Sequence, residues 1–163
     1  MSNPQVVHGA ERTAAYEAVR ERIHLLLDGE EDWVAAMATV VCELHQAFAH
    51  YDWTGFYRAQ GEELIVGPYQ GTHGCLRIKF GRGVCGAAAA TKQTQLVPDV
   101  EEFPGHIACS DSTRSEIVVP VLDLQGRVIA VFDVDSNQPD AFGEEDRLAL
   151  EEIARELGAK YGG

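Results

Sequence analysis

Cys75, Cys85 and Cys109 stand ten and 24 residues apart, in His73-Gly74-Cys75, Gly83-Val84-Cys85-Gly86 and Gly105-His106-Ile107-Ala108-Cys109. Glycine or polar neighbours flank each one, and a thiolate nucleophile needs such backbone room and solvent access. The pattern points to thiol chemistry. Cys109 adds a loop composition, Pro104 to Ser112, and loops on a rigid scaffold commonly carry reactive groups. Cys42, within a helical pattern beside Val40, Val41 and Leu44, reads instead as core packing, where free cysteine behaves as a small hydrophobe.

Carboxylates supply a second half. Asp133 and Asp135 are two apart in a strand-like run, so both point to one face. Glu116 opens the strand expected to pair with it. Three converging carboxylates repel one another, so one or more should keep a proton near neutral pH and could serve as a general acid. A solvated hairpin mouth would look the same in sequence. Trp53, Gly55 and Tyr57 also share a face, where the aromatic rings either fill the core or wall a small pocket; core filling is the default.

Two competing chemistries fare worse. Gly81-Arg82-Gly83-Val84-Cys85-Gly86 matches a dinucleotide glycine fingerprint in form, but that motif belongs to a parallel βαβ unit and the flanking hairpins indicate an antiparallel sheet. Zinc could in principle use Cys75, Cys85, Cys109, His73 and His106. Among these there is no Cys-x-x-Cys pair, however, and no closely spaced histidine pair. No metal is expected.

The elements that must position these groups follow from periodicity. Tyr16, Val19, Ile23 and Leu26 recur at helical spacing, as do Trp33, Met37, Val40, Val41, Leu44 and Phe48 after a break at Asp28-Gly29. A hairpin turns at Gln60-Gly61-Glu62, residues 75 to 80 form a further strand, and Gly83 to Lys92 a short helix. Glu116 to Asp123 and Arg127 to Asp135 are antiparallel strands around Gln125-Gly126. The closing helix begins with Glu144, Glu145 and Asp146, where carboxylates favour the positive end of the dipole, and its apolar stripe is Leu150, Ile153, Leu157 and Tyr161. The result is an α/β fold, one antiparallel sheet flanked by N-terminal and C-terminal helices with a short internal helix.

Composition bounds the partners. The 163 residues, 45% apolar and 24% charged, suit one domain spanning 1–163. Against 26 acidic side chains stand 13 basic ones, a formal charge of -13, which disfavours nucleic acid and anionic membrane faces. Without an apolar run near the roughly 20 residues of a spanning helix, the chain is expected to be cytoplasmic, where cysteines are more often catalytic or transiently bonded than structural.

The runs Asp52-Trp53-Thr54-Gly55-Phe56-Tyr57, Gly67-Pro68-Tyr69-Gln70-Gly71, Gly81 to Gly86, Gly105 to Cys109 and Ser115-Glu116-Ile117-Val118-Val119-Pro120 closely resemble the free methionine-(R)-sulfoxide reductases, a GAF-domain family. The match covers nearly the whole chain, with the cysteine gaps in order. The resemblance implies a single GAF domain in which Cys109 is the nucleophile, Cys75 the principal resolving thiol and Cys85 a secondary one. It further implies that Glu116, Asp133 and Asp135 line the substrate pocket and that Trp53 and Tyr57 form its aromatic wall. Thioredoxin is the implied reductant and a homodimer the implied assembly. The family usually places Asp directly after the nucleophile, where this chain has Ser110, which puts the local tuning of Cys109 in doubt.

The expected chemistry joins these groups. The Cys109 thiolate attacks the sulfoxide sulfur, a protonated carboxyl donates to the oxygen, and Cys75 condenses with the resulting sulfenic acid; no cofactor is required. Nearby carboxylates would raise the thiol pKa, which Arg114 or His106 could offset. A closed, carboxylate-lined cavity would pair with the ammonium of a free amino acid and leave a peptide no exit, with Gly67 to Gly74 as the expected lid. The alternative is a non-catalytic small-molecule-sensing module, since this architecture hosts those too. A sensor would usually be joined to an output domain and needs no spaced thiols.

Overall fold

Strands whose side chains alternate between two faces can serve two purposes at once, and here they do. The structure, a computed structural model, describes residues 9–107 and 110–162; Cys109 lies outside them. Six strands, β1 (Trp53–Gln60), β2 (Glu63–Gln70), β3 (Arg77–Lys79), β4 (Gln95–Val97), β5 (Ser115–Leu122) and β6 (Val128–Ser136), form one sheet in the order β3-β2-β1-β6-β5-β4. Every neighbouring pair is antiparallel. Helices α1 (Ala10–Leu26), α2 (Trp33–Ala47) and α4 (Glu144–Tyr161) pack on one face, where Phe56, Ile117, Val119, Phe132 and Val134 meet Tyr16, Ile23, Met37, Leu44 and Ile153. On the other face Trp53, Tyr57, Val118 and Val131 pack with Val84, Ala88 and Ala89 of the short helix α3 (Gly83–Thr91).

Because β3 and β4 occupy opposite edges of the sheet, α3, which joins them, crosses over this second face. That connection is not a βαβ unit of adjacent parallel strands, so the glycine run before α3 has a packing role. A Cβ at Gly86 would lie 2.6 Å from the Lys79 carbonyl oxygen, so glycine there lets α3 seat against β3. A similar close approach fixes α4, where a Cβ on Gly158 would lie 1.8 Å from the Leu122 carbonyl oxygen.

A buried polar network locks the helical layer. The Arg12 guanidinium donates to Asp146 at 2.6 Å and to the Ala141 carbonyl at 2.9 Å, and Tyr16 donates to Asp146 at 2.5 Å. Gly143 N–H adds a 2.8 Å bond to the same carboxylate. Burial pushes the Asp146 carboxyl up, but the opposing pull of His50, the Gly143 N–H, Tyr16 and Arg12 holds it below its usual range.

Four details depart from the sequence reading. Leu26 is 55% exposed and Leu27 takes the inward position. Residues 67–70 belong to β2, leaving 71–76 as the connecting loop, and β3 is shorter than 75–80. Cys42 is only partly buried, its sulfur accepting a 3.6 Å bond from Gln46. Asp146 sits in the first turn of α4 as expected, and it is also fully buried in the helical layer, which the sequence reading did not foresee. Among the described residues, no helix is long and apolar enough to cross a membrane.

Candidate active site

Strand pairing brings the three carboxyls together. Glu116 on β5 lies opposite Asp135 on β6, while Asp133, one pleat along on the same face, sits opposite Val118 and, across β1, Gly55. Glu116 and Asp133 are almost fully buried, at 6% and 4% exposure, and Asp135 is partly buried. Burial raises all three above the usual carboxylate range. Asp133 reinforces the effect on Glu116, Asp135 that on Asp133, and Glu116 that on Asp135. Charged carboxylates sharing a site without a compensating cation take up protons instead of remaining mutually repelled. The converging site, not the solvated hairpin mouth, is what the strands build.

A cleft opens over this cluster, lined on one side by Trp53 and Tyr57 and on another by Gly83, Val84 and Cys85 at the start of α3. The aromatic wall is a stack. Trp53 lies between Tyr57 and Tyr69, with ring centroids 5.8 Å and 5.1 Å away and planes within 19° of parallel in both pairs. Gly55 makes room for the indole, since a Cβ there would stand 2.6 Å from its ring and 2.4 Å from the Tyr69 Cβ. The indole N–H donates to the Thr72 carbonyl at 2.8 Å, and a Cβ on Gly74 would lie 2.9 Å from the same ring. The loop 71–76 is thereby laid against the wall. Trp53 and Tyr57 fill core and face the cleft at once, so the two readings of them are not exclusive.

His73, Gly74, His106, Ile107 and Ser110 complete the mouth. His106 Nε2 lies 3.8 Å from Glu116, and burial lowers its pKa, so it favours the neutral form. Arg114, the other cation the sequence offered, is exposed and outside the cleft lining; Cys109, the thiol either would act on, lies outside the described residues. Arg82, the residue preceding α3, does line the cleft. Sequence reading passed over it, although its place between two glycines at a helix start was the available signal.

The thiols separate clearly. Cys75 is disulfide-bonded and partly buried, packed against the apolar cluster beneath the cleft. Cys42 and Cys85 are free. Cys85 is 4% exposed, and burial, with Asp133, Glu116 and Asp135 adding to it, drives its pKa well up. The residues on either side of the undescribed pair 108–109, Ile107 and Ser110, both line the cleft. Ser110 Oγ accepts from the Ser112 N–H at 3.4 Å and pairs with the Ser112 hydroxyl at 2.9 Å, so it holds a turn.

The GAF domain profile matches residues 32–160. A curated free methionine-R-sulfoxide reductase of Saccharomyces cerevisiae is 42% identical over 80% of this chain and 76% of its own. The chain belongs to the free methionine-R-sulfoxide reductase family. A second reductase of that name, from Escherichia coli, is 36% identical over 90% of this chain and 88% of its own. The free methionine-R-sulfoxide reductase of Neisseria meningitidis, solved in complex with its substrate, superposes with a TM-score of 0.89 at 43% identity, covering 95% of this chain and 93% of that one. The GAF fold and the single antiparallel sheet expected from the sequence are thus confirmed.

Proposed function

We propose that this protein reduces free L-methionine-(R)-sulfoxide to L-methionine. The observation that carries the reading is the buried carboxyl trio, biased toward its protonated forms and facing a stacked aromatic wall, in a chain whose relatives bear that activity in their names.

The steps follow from the residues. The sulfoxide's methyl and methylene groups pack on Trp53 and Tyr57, and its ammonium meets the carboxyl cluster, where one carboxyl ionises to pair with it. The Cys109 sulfur attacks the sulfoxide sulfur while a carboxylic acid among Glu116, Asp133 and Asp135 protonates the oxygen. The oxygen then passes to the Cys109 sulfur as the sulfur–oxygen bond and the transient sulfur–sulfur bond break, so methionine departs and Cys109 is left as a sulfenic acid. Cys75 then displaces that oxygen as water, forming a disulfide, and an external dithiol, thioredoxin, reduces it by exchange. Each cycle consumes one sulfoxide and two thiol hydrogens of the reductant and releases methionine and water. That Cys75 is disulfide-bonded while Cys42 and Cys85 are free supports Cys75 as the resolving thiol. We assign the protein to the cytoplasm on the sequence reading and to a homodimer on the family resemblance; light scattering of the purified chain tests the latter.

A thioredoxin-coupled assay of NADPH oxidation, offering the free R sulfoxide, its S epimer and a peptide-bound sulfoxide, tests the reading. Turnover of the free R form alone, abolished in Cys109→Ser, is the expected result. No turnover by the folded, reduced protein would refute it in favour of a sensing module.

A further inference from the structure

The family resemblance makes Cys85 a second resolving thiol, yet its surroundings suit another task. A resolving thiol attacks as thiolate, must come within bonding distance of the sulfenic sulfur, and leaves a disulfide open to an external dithiol. Cys85 lies in the first turn of α3, a helix that Gly86 wedges against the Lys79 carbonyl. Its sulfur, one oxygen of Glu116 and one of Asp133 lie within 4.8 Å of one another, all three residues buried. At that range the thiol faces the Asp133 carboxyl, and burial together with the neighbouring carboxyls favours the thiol over the thiolate. Asp133 Oδ1 has no hydrogen-bond partner among the described residues, so this carboxyl keeps an oxygen for a ligand.

We propose that Cys85 is a positioning residue, an S–H donor that holds the Asp133 carboxyl against the substrate, and not a redox thiol of the cycle. The inference rests on the reductase reading above. It assigns the two redox thiols to Cys75 and Cys109 alone and gives the third a binding role. Removing a donor from a buried carboxyl leaves that group under-satisfied, which weakens ligand binding by on the order of tenfold.

Full-length wild type, Cys85→Ala, Cys85→Ser and Cys75→Ser test it. Cys85→Ala should raise KM about tenfold with a much smaller change in kcat, as expected for a lost orienting bond. Cys85→Ser, whose hydroxyl can donate the same bond, should restore most of the affinity that Cys85→Ala loses; a structural role alone would not show that rescue. In single turnover without reductant, both Cys85 variants should lose two free thiols per methionine released, whereas Cys75→Ser should retain a sulfenic acid that dimedone traps. A Cys85 variant that fails to close the disulfide, or Cys85→Ala with wild-type KM, overturns the proposal. Calorimetric titration of the free R sulfoxide into the same proteins reads the contact without turnover. An inactive wild type that still binds more tightly than Cys85→Ala would therefore sink the reductase reading and leave the positioning role standing.

Discussion

Gly55→Ala probes the aromatic wall most directly. Gly55 is buried between Tyr69 on β2 and Asp133 on β6, and an added methyl would stand 2.4 Å from the Tyr69 Cβ and 2.6 and 2.8 Å from two indole carbons of Trp53. Carbon atoms prefer about 3.5–4.0 Å, so the neighbours must yield by about 1 Å. Expelling the indole would forfeit the burial of about 150–250 Å², or about 4–6 kcal/mol at 25 cal/mol/Å². Overpacking with the ring retained costs about 1–3 kcal/mol, so the ring shifts but stays. Against this, losing glycine stiffens the unfolded chain and returns about 0.4–1 kcal/mol. The net, about 1–2 kcal/mol, lowers Tm by about 2–8 °C for a chain of this size. A tilted indole no longer presents a flat wall, so KM should rise about tenfold, equivalent to about 1.4 kcal/mol of lost contact. Thermal denaturation, near-UV circular dichroism and KM measure these effects. Gly61→Ala is the control, because Gly61 sits in the β1–β2 turn at φ 61° with nothing within 4 Å of an added Cβ; it should be destabilised without a KM change. A Gly55→Ala protein with wild-type Tm, circular dichroism and KM would refute the claim that Gly55 exists to seat Trp53.

The two carboxylate environments respond oppositely to pH. Asp146 has a folded pKa below its unfolded one, so its contribution is present above about pH 4 and fades as pH falls through the folded value. Asp146→Ala removes the Arg12 guanidinium's 2.6 Å partner, leaving it the longer 3.9 Å pairing with Glu145, and should cost about 3–5 kcal/mol in urea denaturation at neutral pH. The trio of Glu116, Asp133 and Asp135 has raised folded values, so its cost to stability begins as pH climbs above the unfolded carboxylate range, about 4, and grows until the folded values are passed. Asp135→Asn should therefore stabilise the ligand-free protein at pH 8 by on the order of 1 kcal/mol, give no gain near pH 4, and lose turnover. A variant equally stabilised at both pH values would show that charge repulsion is not the source.

Much of this was legible before the structure because strand periodicity is unambiguous where alternation is sustained. Counting in twos places Asp133 and Asp135 on one face, the expected hairpin sets Glu116 beside them, and the observed pairing of Glu116 with Asp135 brings the three together. Helical periodicity was less decisive at its end: after Ile23, both Leu26 and Leu27 satisfy the spacing, and tertiary packing selected Leu27, whose carbonyl accepts a 3.0 Å bond from Lys160. Glycine content misled over 67–70. Gly67 is a strand residue across from β1, where a Cβ would come within 3.1 Å of the Phe56 carbonyl, so it answers a close approach and not a hinge. Asp146 was invisible as a core residue, since its buried partner Arg12 lies 134 positions away and no local pattern announces such a pair. Arg82 and His106 entered the cleft through the path of α3 and the following loop across the sheet, which sequence spacing does not encode.

The interleaving of Glu116, Asp133 and Asp135 with Ile117, Phe132 and Val134 makes fold and chemistry inseparable along β5 and β6. A single inserted or deleted residue within either strand would turn part of it over, sending a carboxyl into the dry helical layer and an aliphatic side chain into the cleft. Length variation between these strands is therefore confined to the 123–127 turn, where Asp123 already ties the N–H groups of Gln125 and Arg127. A library of loop grafts at that turn should yield folded, active proteins, while one-residue indels a few positions away should yield neither.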